Sequence, residues 1–103
     1  MKVIQVLSDK ITDEIKDAKS YMKLAMAYHE DYPELSRTLY SIASQEIDHM
    51  NMIHEEVVTI IKKYRAEHGE PPADMMAVYE YLHKRQLEHY AKVKSLMDAY
   101  KNA

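Results

Sequence analysis

His29-Glu30-Asp31-Tyr32-Pro33 divides a long helical stretch in two. Pro33 has no amide hydrogen and its fixed φ suits a first helical turn, while it disfavours helix at the residue before it. One helix therefore ends near residue 30 and another starts near 33. His68-Gly69-Glu70-Pro71-Pro72 repeats the device. Gly69 suits a helix C-terminal cap and Pro72 opens the next helix. One Gly and three Pro in 103 residues leave no other strong break. Turn-rich all-β folds are excluded, and so are α/β folds with β-branched runs between glycines. The chain reads as all-α and as a single domain over residues 1–103. Helix A covers about residues 8–30, starting at Ser8 or earlier, helix B about 33–68 and helix C about 72–101.

Composition narrows the function. Fourteen Lys+Arg against 17 Asp+Glu leave a formal charge of −3, with no basic block. A nucleic-acid footprint needs clustered cations to displace counterions, so no nucleic-acid partner is expected. Cysteine is absent, which removes disulfides, thiolate metal sites and cysteine nucleophiles. No apolar run approaches the ~20 residues of a membrane span. The start, Met1-Lys2-Val3-Ile4-Gln5-Val6-Leu7, is too quickly polar for a secretion signal, so a cytoplasmic protein is expected.

Each helix carries a stripe at alternating spacings of three and four. Helix A reads Leu7, Ile11, Glu14, Ala18, Tyr21, Ala25, Tyr28, Tyr32, widened by Ile15 and Met22. Helix B reads Leu39, Ile42, Glu46, His49, Ile53, Val57, Ile60, Tyr64. Helix C reads Met76, Tyr79, His83, Gln86, Tyr90, Val93, Met97, Tyr100. Short connections make A and B, then B and C, antiparallel neighbours.

Glu14, Glu46 and His49 interrupt these stripes. A buried carboxylate is costly unless paired, hydrogen-bonded or bound to a metal, so two carboxylates and an imidazole point to a ligand set. Glu46-Ile47-Asp48-His49 is Glu-x-x-His, which puts both side chains on one helical face. Spacing alone says little, because Glu80-Tyr81-Leu82-His83 repeats it. Axial level says more. Glu14 and the Glu46–His49 pair each lie about 17 residues from the A–B turn, or roughly 25 Å, so the three meet at one height. On helix C that height falls in Tyr90-Ala91-Lys92-Val93-Lys94-Ser95, which offers no ligand. Glu80 and His83 read as surface or as a subunit contact, Glu88 and His89 come within about one turn, and His54-Glu55-Glu56 reads as surface. A complete two-metal cage within one chain is not expected.

Glu14, then Tyr21 seven residues on, then Glu46-x-x-His49, resembles half of a ferritin-like di-iron site. Rubrerythrins and ferritins carry two such halves. The match is to the half-size type, such as encapsulated ferritins, and covers roughly residues 8–64. That resemblance implies that two copies of the antiparallel A–B hairpin pair into one four-helix bundle, as a homodimer or a higher homo-oligomer. It implies Glu14 as a terminal metal ligand, Glu46 as a bridging one and His49 as the nitrogen donor. Tyr21 would be a hydrogen-bonding residue behind them. The implied cofactor is iron, two ions per dimer, with manganese as the alternative metal. The implied chemistry is Fe(II) oxidation by O2 or peroxide, in iron handling or oxidative defence. The ending Met97-Asp98-Ala99-Tyr100-Lys101-Asn102-Ala103 lacks the shell-docking tail of that group, so an encapsulin partner is not expected. Two other readings stay open: a metal-free helical assembly module, and a structural divalent-metal site without turnover.

Overall fold

The computed structural model describes all 103 residues and contains three helices, α1 (Lys2–Ala27), α2 (Pro33–His68) and α3 (Ala73–Lys101), in a rod of 56 × 20 × 18 Å. Helix α1 starts six residues before Ser8, because Ile4 prolongs the apolar period and is buried. It stops at Ala27, ahead of the expected residue 30. Residues 28–31 form a turn instead, closed by the Tyr32 amide on the Tyr28 carbonyl at 2.9 Å, and Pro33 then takes the first position of α2. Gly69 caps α2 at φ 80°, a left-handed backbone that glycine adopts without strain.

Helices α1 and α2 form the antiparallel hairpin. Ala18, Ala25, Ala43 and Ser36 are fully buried in it, and their short side chains let the two backbones approach closely. Ile11, Ile15, Met22, Ile47, Met50, Val57 and Ile61 fill the remainder of the core.

Helix α3 returns antiparallel to α2 but packs chiefly on α1, to which it runs parallel. The Met1 ammonium meets Met75 Sδ at one end, and Gln86 meets Ser8 and Thr12 in the middle. At the other end Ser36 donates to the Ala25 carbonyl and accepts from the Tyr100 hydroxyl at 2.9 Å, so one hydroxyl joins all three helices. The expectation that B and C would be the close pair is thus corrected: a short loop sets direction, whereas side chains choose the partner.

That placement moves part of the core off the anticipated stripes. On α2 Leu39 and Val57 of the anticipated stripe are buried, but the others buried are Ser36, Ala43, Ile47, Met50 and Ile61, one position round from Ile42, Glu46, His49, Ile53 and Ile60. On α1 the anticipated Ile11, Ala18 and Ala25, with Ile15 and Met22 that widen the stripe, are buried and are joined by Ile4 and Ser8, while Leu7, Glu14 and Tyr21 are half-buried. Tyr28 and Tyr32 are exposed. The buried centre shifts because α3 covers one flank of the hairpin and leaves the other open.

The anticipated stripe of helix C holds better. Gln86, Val93 and Met97 are buried and its tyrosines and His83 half-buried. Buried Gln86 donates to the Ser8 carbonyl, Ser8 Oγ and Thr12 Oγ1 at 3.0–3.1 Å, satisfying the polar residue inside the α1–α3 seam. Gln86→Leu should destabilise the fold by about 1–2 kcal/mol in urea unfolding, because it strands the Ser8 hydroxyl. An unchanged midpoint would show that the network contributes nothing.

Candidate metal centre

Helical spacing turns Glu14 of α1 and Glu46 and His49 of α2 toward the open flank of the hairpin, away from α3. One donor atom from each lies within 4.8 Å of the others. His49 Nδ1 stands 3.8 Å from Glu14 Oε2. The expected meeting of the three at one height is what the antiparallel hairpin produces. They do not sit in the core: Glu14 is 21% exposed and His49 54% exposed at the side chain.

Glu14 Oε2 is nevertheless shielded from water and has no hydrogen-bond partner, the only buried side-chain polar atom in that state. Glu46 faces it. The Glu46 carboxyl is pushed up to about 7, first by the proton that it can share with the Glu14 carboxylate when protonated, then by burial and by the negative charges of Glu14 and Asp17; His49 pulls the other way. The pair therefore repels when both members are ionised. A cation placed between them would relieve that repulsion and satisfy the stranded oxygen.

Tyr21 packs against the core two turns from Glu14. It makes no hydrogen bond to Glu14, Glu46 or His49, so the positioning role anticipated for it is not made within a single chain. Asp17 adds negative charge near Glu46 but no donor atom to the trio. Neither Glu80 with His83 nor Glu88 with His89 joins the group. His54 and His83 depart from the surface reading: both are half-buried and meet across α2 and α3. Their heights already matched across the B–C turn. His83 stands on the anticipated stripe of helix C; the inward turn of His54 was missed.

The open flank is apolar around the polar trio. Leu7, Tyr21, Ile42, Ile53 and Ile60 are half-buried, and Val3, Leu24, Tyr28 and Leu35 are at least 40% exposed. No helix of the chain is long and apolar enough to cross a membrane.

Comparison with family models, curated proteins and solved structures returns no match to this chain. The class that fold and site define is therefore an all-helical three-helix protein with one carboxylate–imidazole cluster on the hairpin.

Proposed function

We propose that the chain is one half of a carboxylate-bound dimetal protein, in which two copies pair across the open hairpin flank and oxidise Fe(II) with O2 or peroxide. The shielded, unpartnered Glu14 Oε2, facing Glu46 and His49, is the observation that supports it most directly. A polar atom left without a partner costs about 1–3 kcal/mol, more when charged, and a site kept at that cost is expected to gain a ligand.

Donor chemistry favours iron, with manganese as its substitute. Two carboxylates and one imidazole per ion suit a hard or borderline divalent metal. Glu14 and Glu46 supply two negative charges, which balance one such ion, and His49 presents Nδ1 on the carboxylate side. Three donors fall short of the roughly six that such ions take, so further ligands must come from a second copy or from water. A twofold pairing brings four Glu and two His, matching two divalent ions in charge. The exposed Val3, Leu24, Tyr28 and Leu35 are the surface such a pairing would bury. Bound iron supplies one-electron chemistry between Fe(II) and Fe(III). The residues of the chain hold the ions, keep their oxygens away from bulk water on the core side, and take up or release the Glu46 proton as metal leaves or binds. These features resemble the half-size ferritin-like proteins.

Anaerobic titration with Fe(II) tests the reading. About one ion per chain is expected, with binding lost in Glu46→Ala and in His49→Ala. Leu35→Lys replaces no ligand yet places charge on the exposed pairing face, and it should lower both dimerisation and iron binding. No bound metal in the native chain would leave a metal-free assembly module. Binding without aerobic oxidation faster than buffer would leave a structural-ion site.

A further inference from the structure

Helix α3 is the most lightly held element. Only Gln86, Val93 and Met97 of its 29 residues are buried. Toward α2 its contacts include two ring stacks, Tyr100 on Tyr40 and His83 on His54. The two imidazoles lie 5.0 Å apart with planes 7° from parallel, and Tyr79 extends the stack beyond His83 at 5.8 Å and 11°. Both histidines border a cavity of about 120 Å³ that Ile11, Met50, Gln86 and Tyr90 help to line.

The surroundings of the pair hold no compensating charge. From α1 the facing residue is Ile11; from α2, besides His54, they are Met50 and Asn51. From α3 come Tyr79, Gln86, Leu87 and Tyr90, all neutral, and burial raises the Tyr79 hydroxyl further from ionisation. No carboxylate lies within ion-pairing distance of either ring: the ion pairs of the chain are His49–Glu14, Arg65–Glu70 and His68–Glu67. Glu55, Glu80 and Lys84 adjoin the pair along their own helices but are exposed. Parallel ring planes also exclude chelation as the pair stands, since an imidazole-bound metal lies in the plane of its ring and stacked planes share no such point.

We propose that His54 and His83 form a proton-operated catch, which holds the first half of α3 against α2 when neutral and releases it when both imidazoles are charged. Two cations stacked at this distance repel, and the neutral groups around them cannot offset the repulsion. Burial and the neighbouring His54 hold His83 below the ordinary histidine range, which is the direction such a catch requires. Release relieves the repulsion and opens the cavity beside Ile11 and Met50. Val93, Met97 and the Ser36–Tyr100 bond keep the far half of α3 docked. The catch acts on the flank opposite the metal cluster and does not depend on metal.

Histidine NMR titration and amide exchange on the full metal-free chain, from about pH 7.5 to about pH 5, test it. The expected result is a His83 transition below that of free histidine. With it, exchange over residues 73–86 should rise about tenfold or more after correction for intrinsic rates, while α1 and the α1-facing core of α2 stay protected. His83→Phe and His54→Phe each keep a ring in the stack and remove one charge, so each should abolish the response; either variant suffices if the other fails to fold. Native α3 protection that does not change on acidification would overturn the proposal. So would an acid response that survives in a Phe variant, or a His83 that titrates at or above the free value.

Discussion

Glu46→Gln is expected to make the metal-free protein more stable near pH 8 and to remove its stabilisation by Fe(II). The two effects share one cause. The Glu46 carboxyl titrates at about 7 in the folded chain, against an ordinary value of 4.5. Between those values the folded state holds a proton that the unfolded state has released, so stability falls as pH rises through that window. Above it, ionised Glu46 stands against Glu14 and Asp17. Because the group is partly open to solvent, the penalty is discounted to about 1 kcal/mol. Glutamine keeps the shape while losing the charge, so the variant should gain that amount, or roughly 5 °C.

With metal the sign reverses. A ligand at one hundred times its dissociation constant stabilises by about 2.7 kcal/mol, on the order of 10 °C for a chain of this size. Glu46→Gln should lose that gain, since an amide is a far weaker ligand than a carboxylate. Metal must also displace the Glu46 proton, so affinity in the native chain should fall about tenfold per pH unit below 7. Thermal melts with and without anaerobic Fe(II), across pH, measure all three. A variant less stable than the native chain at every pH would show that Glu14 and Glu46 do not repel.

The largest loss of stability is expected from Met22→Ala, about 3 kcal/mol in denaturant unfolding. Met22 is fully buried in the α1–α2 core, with neighbours on several sides that cannot collapse into the space left behind. Met26, one turn further along the same helix, is 42% exposed. Met26→Ala should therefore change stability by only about 0.5 kcal/mol. Total stabilities of small domains are about 5–15 kcal/mol, so the first variant loses a large share and the second almost none. Similar losses at both sites would mean that the core does not lie where α3 places it.

Much of the molecule was legible in the residue order. Pro33 and the Gly69–Pro72 cluster set the ends of the helices because they act on the backbone locally. The convergence of Glu14 with Glu46 and His49 followed from counting residues away from a turn, since an antiparallel hairpin leaves little freedom in axial level. Azimuth was not legible to the same degree. Periodicity admits two adjacent stripes on α2, one through Ile42 and Ile53 and one through Ala43 and Met50, and both are apolar enough to be core.

The residue order therefore determined three helices, their direction, and the height at which the carboxylates and the imidazole meet. Tertiary packing decided which stripe of the hairpin is buried. Helix α3 settles on the Ser8–Thr12 side, where Gln86 finds its partners, and it draws Ile47 and Met50 inward. Glu14, Glu46 and His49 are left on the uncovered flank. The reason is physical: rise along a helix is a local property of the backbone, whereas the burial of a face depends on what lies across from it.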